Sequence, residues 1–365
     1  MILGDVESSY RKTTKLINTV RYQEVDGTPC RTLQDNTEKE GARVIDYLEK
    51  KTNDVLKRHR FTEDGAYKGN PEDLASIQAC RLPEETIQQA AAHLDNEYNL
   101  EEIISNPVYL EDPSSSVAIC IDDVNVKKQS EERGSIPLDS DKQSKYKYVH
   151  NTVVRVDKDR KSYCLVGAGM KITVRYLLAF LLSNSLLGHR FQFFTDGHTV
   201  LNDTIRNAFE WYPNFGIILD WFHLVKKCKE QLSMALKGRL IRNEVLRVIM
   251  PLLWNGLNER AIGVLEQIEP EKIKNNEKLA KLLTYLNRNT EMIPCYALRK
   301  RLRLKNSSAI GEKMNDLIVS SRQKHNGMSW SKGGSLALAA LTAVKRNGEA
   351  PSWLEKRKLK FKLAA

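Results

Sequence analysis

The order of apolar runs between residues 116 and 219 constrains the fold of this chain more than any other feature. Ser116–Val126 is an apolar, strand-like run, Tyr148–Val156 is rich in β-branched residues, and Tyr163–Val166 is a third short apolar run, so three strands are expected in succession. The period then alternates: a helix over about Val174–Leu187, a strand over Arg190–Thr195, a helix over Val200–Trp211, a short strand over Gly216–Leu219, and a helix again. Strands joined by loops form an antiparallel meander, whereas a strand reached through a helix adds in parallel. The expected product is an α/β fold with a five-stranded mixed sheet and flanking helices. The long charged loop Lys127–Lys147 is its main interruption.

The flanking regions read as helical. Ser8–Gln23 is a basic helical candidate, and from Thr37 to about Arg60 the residues Val44, Ile45, Leu48, Val55 and Leu56 recur at helical spacing among charges. Pro83, Glu84 and Glu85 start a helix that runs to about Leu94, with proline in its first turn and acids at the positive dipole end. A turn over Asp95–Asn99 and a short helix to Ser105 fit either a helix-turn-helix or a small packing domain. Two prolines and a serine run mark a boundary in Asn106–Ser116. After His223 the expected helices include Leu224–Leu236, Asn243–Trp254, Glu259–Glu266 and Lys278–Asn287. Basic stretches follow at Arg299–Lys305 and Lys356–Lys362. The expected organisation is a helical N-terminal region (1–110) that is a candidate for DNA binding, a first core segment (111–223), a helical insertion (224–305), a last core segment (306–345) and a basic tail (346–365).

Composition excludes several function classes. No run of eighteen apolar residues occurs, which argues against a membrane span, and the N-terminus MILGDVESSYRK lacks the order of a secretory signal, so a cytoplasmic protein is expected. The six cysteines are scattered without CxxC or matched Cys/His spacing, which suggests neither a zinc module nor a disulfide scaffold. There is no P-loop, and Gly167 and Gly169 lack the third glycine of a dinucleotide turn. The formal charge of +11 favours a polyanionic partner, because lysine and arginine displace counterions from phosphates.

The acids then become the question. Two-metal phosphodiester chemistry needs converging carboxylates, which suit magnesium as hard oxygen ligands. Asp122 and Asp123 lie in the strand-like VAICIDDV, where an acid is costly to bury unless it is paired or binds a metal. Alternation does not choose between them; Asp122 is preferred and Asp123 kept in reserve. Asp196 ends the fourth strand in RFQFFTDGHTV, at the carboxyl end where such sheets gather ligands, although Asp-Gly is also an ordinary turn. Glu312, in SSAIGEKMNDLIVSSRQKH, starts a later helix with Asp316 one turn on, and by residue chemistry alone it is one helix-start acid among many. Asp220 and His223, in IILDWFHLVKK, fit equally a ligand-orienting pair and a helix cap with a satisfied histidine.

Four stretches carry a resemblance: IDDVNVKKQ (121–129), FFTDGHTVLNDTI (193–205), ILDWFHLVKK (218–227) and SSRQKHNGMSWSKGG (320–334). From about residue 117 to 345 the chain resembles the DDE transposases of bacterial insertion sequences, specifically the ISKra-type group, which is distantly similar to Mutator-type transposases. The resemblance implies an RNase H-like core that cuts transposon ends and joins them to target DNA. It also implies two Mg2+ or Mn2+ ions on Asp122 or Asp123, Asp196 and Glu312, with Asp220 and His223 in support. The implied partner is double-stranded DNA, as terminal inverted repeats and target, bound by a homodimer that is nucleoid-associated when active. Arg322, Lys324, Trp330 and the lysine-rich tail are the candidate DNA contacts, basic groups beside a flat aromatic that suit phosphate and base. Two rival readings use the same residues: a stand-alone nuclease of this fold, and a catalytically inactive DNA-binding derivative.

Overall fold

The computed structural model describes residues 8–22, 27–70, 81–94, 103, 110, 112–129, 147–307, 313–324 and 328–363. Its strands are β1 (Ser116–Lys127), β2 (Tyr148–Lys158), β3 (Lys161–Gly167), β4 (Arg190–Thr195) and β5 (Phe215–Leu219), in the spatial order β3-β2-β1-β4-β5. β1 pairs β4 in parallel from Ser116 opposite Arg190 to Cys120 opposite Phe194, and β4 pairs β5 in parallel. β2 and β3 are antiparallel, joined at Asp159 and Arg160, which both have positive φ (49° and 65°). That is the backbone a two-residue hairpin turn needs to match strand twist. The expected mixed sheet is therefore present, in the RNase H-like order.

The helices are α1 (Tyr10–Val20), α2 (Cys30–Arg58), α3 (Glu84–Ala92), α4 (Met170–Ser183), α5 (Thr199–Phe209), α6 (Trp221–Ala235), α7 (Arg239–Trp254), α8 (Asn258–Glu266), α9 (Asn276–Asn289), α10 (Tyr296–Arg301), α11 (Lys332–Arg346) and α12 (Ala350–Lys356). A further helical stretch covers 313–323, and its middle, Asp316–Ser320, is a π-helix. The expected short helix before Ser105 falls mostly outside the described residues. α6 begins at Trp221, three residues before the sequence suggests, because the Asp220 carboxylate accepts from the His223 backbone N–H and caps it.

By its contacts the chain divides into two compact units. The first comprises Met1–Asp73, Ile121–Leu187 and Ile310–Ala365. Here α11 packs against α2 and against β2 and β3, which explains why its alanines and leucines from Ala337 to Val344 are buried. The approach to α2 is close: a Cβ at Gly41 would lie 2.5 Å from the Cβ of Ala337, so only glycine fits. Residues expected as a basic tail fold back. Leu359 and Phe361 are buried, and the buried Glu349 carboxylate accepts from the backbone N–H groups of Lys360 and Phe361 and from the Tyr163 hydroxyl. The side chains of Lys356, Lys358, Lys360 and Lys362 remain exposed.

The second unit comprises Leu74–Cys120 and Gly188–Ala309. β4 is a run of buried aromatics, with Phe191 and Phe193 packed on Phe209 of α5, as a central strand covered on both faces requires. The helical stretch beyond His223 packs as successive pairs, α6 on α7 and on α9, and α8 on α7 and on α9. Arg299, which the sequence places in a basic stretch, is fully buried in α10 and donates to Gln192 Oε1 at 3.1 Å and to the Lys305 carbonyl at 2.7 Å.

Candidate active site

In the first unit, burial along β1 changes at Asp122. Residues 117–121 are all buried, after which Val124 and Val126 stay buried while Asp123, Asn125 and Lys127 are exposed. Asp122 is half-buried and shares the inward face of Val124 and Val126, a distinction that apolar alternation before it does not make. Its Oδ2 accepts from Nδ2 of Asn315 at 2.6 Å and its Oδ1 from the Asp123 backbone N–H at 2.8 Å. Asp123 instead accepts from the hydroxyl of the buried Thr152 on β2. Asn315 immediately precedes the π-helical turn, and nothing in its local sequence marks it as a partner of a residue 193 positions away.

In the second unit, Asp196 follows β4 directly and its Oδ1 accepts from the His198 backbone N–H at 2.8 Å, which forms an Asx turn. The turn is held from α9. The Tyr285 hydroxyl donates to the Asp196 carbonyl at 2.9 Å, and Arg288 donates to the Gly197 carbonyl at 3.0 Å. Burial raises the pKa of that tyrosine, and the Asp196 charge adds to the effect. Gly197 has φ +80°, and a Cβ there would lie 2.8 Å from Leu219 Cδ1 and 3.1 Å from the Tyr285 ring. Asp220 is fully buried, caps α6 through the His223 backbone N–H, and its Oδ1 lies 3.3 Å from Nδ1 of the half-buried His223.

Glu312, the expected third acid, lies outside the described residues, and Asp316 begins the π-helix. Of the candidate DNA contacts, Lys324 is exposed, whereas Arg322 and Trp330 are buried in the first unit. The Arg322 guanidinium lies between two rings, 5.1 Å from the Tyr10 centroid and 5.3 Å from that of Trp330. The Trp330 indole donates to the Gln323 carbonyl, while its backbone N–H bonds the Lys127 carbonyl at the end of β1.

Among the described residues, no three or more His, Cys, Asp or Glu side chains gather closely enough to hold a metal ion. The donor chemistry of each aspartate nevertheless suits a hard divalent cation. Asp122 and Asp196 offer carboxylate oxygens, hard donors of the kind such an ion prefers, and each carboxylate accepts from a neutral N–H donor that orients it. Among the described residues no helix is long and apolar enough to cross a membrane.

No family model matches the sequence, and no curated relative matches it. Among solved structures, the Drosophila P element transposase strand transfer complex contains a chain similar to this one at 11% identity over 98% of this chain and 88% of that chain, with a TM-score of 0.23. A likeness of that size carries no argument about fold or activity.

Proposed function

We propose that the chain is a DNA transposase of the DDE type, in which Asp122, Asp196 and Glu312 would hold two Mg2+ or Mn2+ ions. The observation that carries this reading is the strand order β3-β2-β1-β4-β5, with one candidate aspartate within β1 and another directly after β4. When bound, the ions would activate the attacking oxygen and stabilise the leaving one. The protein's own share is orientation. The Asn315 amide and the Asp123 N–H fix the Asp122 carboxylate, and the Asx turn at His198 fixes that of Asp196. Asp220 and His223, one residue beyond β5 and in the first turn of α6, support the same end of the second unit. Lys324 and the exposed lysines of 356–362 offer phosphate contacts, while Arg322 and Trp330 act indirectly by holding the segment that meets the end of β1. The substrate would be double-stranded DNA, as terminal repeats and target, with two copies of the chain bringing two ends together.

The test is cleavage and strand transfer on terminal inverted-repeat substrates taken from the DNA flanking the gene. Asp122→Ala and Asp196→Ala should each reduce joining by on the order of 10^3-fold or more while DNA binding persists. Joining that survives in the Asp196 variant removes the site. Cleavage without joining in the unaltered protein makes it a nuclease of the same fold, and binding without either reaction makes it an inactive derivative.

A further inference from the structure

We propose that Asn315 is a positioning residue that holds the Asp122 carboxylate in the orientation in which it receives a divalent cation. The inference rests on the reading that Asp122 is a metal ligand, and adds how the protein prepares it. Asn315 is nine-tenths buried, and its Nδ2 lies 2.6 Å from Asp122 Oδ2. With the Asp123 N–H on Oδ1, both carboxylate oxygens accept from neutral donors, which fixes the plane of the group. The Asn315 amide adds no charge that would compete with a cation. A lysine or arginine at residue 315 would hold the same carboxylate and neutralise it.

The amide is itself held in place. The helical stretch 313–323 ends at the fully buried Gln323, whose Nε2 donates to the Ser335 carbonyl at 3.0 Å and whose Oε1 accepts from the Ser335 hydroxyl at 2.6 Å. That hydroxyl also accepts from Nδ2 of the buried Asn151 on β2 at 2.7 Å. One polar network thus ties the end of the stretch to α11 and to the strand that carries Thr152, the partner of Asp123. Between network and amide lies the π-helix Asp316–Ser320, whose Ile318 and Val319 are fully buried. A π-turn re-aims the side chains on either side of it, and such turns recur at functional sites. Here the residue immediately before it is Asn315.

The experiment titrates Mn2+ alone into the full chain without DNA, following free Mn2+ by electron paramagnetic resonance, and in parallel measures the Mn2+ dependence of cleavage. Asn315→Ala should weaken Mn2+ binding about 10- to 100-fold, the effect of removing a hydrogen-bond partner from a metal ligand. Cleavage should recover largely at saturating Mn2+, so that the midpoint moves and the maximum does not. Asn315→Ser, which keeps a shorter donor and serves if the alanine variant fails to fold, should lie between. A purely structural cross-link would lower the melting temperature and leave Mn2+ affinity unchanged, and that result in either folded variant overturns the proposal. Loss of Mn2+ binding in Asp122→Ala with retention in Asn315→Ala overturns the positioning role alone. Unaltered protein that neither binds Mn2+ nor cleaves overturns the metal reading with it, whereas Mn2+ binding that depends on Asn315 without any cleavage supports the role of Asn315 and overturns the transposase reading.

Discussion

The two aspartates are held in opposite ways. Asp122 lies inside β1, where the ladder already fixes the main chain and the carboxylate alone needs direction, which Asn315 supplies from far along the sequence. Asp196 lies where β4 has ended, so the main chain itself has to be fixed, and Tyr285 and Arg288 grip two consecutive carbonyls to do so. A side chain within a strand needs one well-placed donor. A side chain on a turn needs a glycine, a cap and a supporting helix, and α9, after His223, supplies that support to the Asp196 turn.

The largest test of this contrast is Gly197→Ala. Left-handed backbone disfavours a side chain by about 1–2 kcal/mol, and the close approach of Leu219 and Tyr285 raises the cost to about 2–4 kcal/mol. Thermal unfolding should show an earlier transition, and an unchanged one would mean that the turn is not held as described. Next, Gln323→Leu strips a buried network of its amide and leaves the Ser335 hydroxyl and Asn151 poorly partnered, a loss of about 2–3 kcal/mol measurable by urea unfolding. Tyr285→Phe removes one hydrogen bond from the Asp196 carbonyl and should cost about 1 kcal/mol. A loss of joining much greater than that loss of stability would sharpen the contrast, because it would show that turn geometry rather than folding is at stake.

The smallest expected effect concerns the thiols. Burial pushes Cys164 of the first unit and Cys228 of the second up to about 12, and Cys295 up to about 11, from the usual 9.0. They stay protonated in the folded chain where an unfolded chain would release the proton, so their contribution to stability is complete below about pH 9 and falls as pH rises towards 11–12. A thiol reagent at pH 8 should modify the half-buried Cys30 first and leave these three until denaturant is added. Early modification of Cys228 would show that the helices supporting Asp196 open more readily than β3 does.

Much of the frame was readable from local pattern. β4 was expected at Arg190–Thr195 and lies there, because a run of Phe191, Phe193 and Phe194 bounded by Gly188 and Gly197 admits few other conformations. The placement of Asp196 directly after that strand was readable for the same reason. The supporting residues were not. Asn315, Tyr285 and Arg288 carry no local sign of their partners. Arg299 reads as part of a basic stretch, and Arg322 and Trp330 as candidate DNA contacts, although the fold buries all three.

By itself, then, the sequence determined the α/β alternation, the helical flanks, the basic charge and the aspartates at β1 and β4, since each depends on neighbours within about one turn or strand. Only the tertiary structure decided that Asp122 rather than Asp123 turns inward, that an asparagine 193 positions away holds it, and that α9 fixes the Asp196 turn. Those outcomes depend on which buried donors meet which acceptors once distant elements pack, and periodicity along the chain does not carry that information.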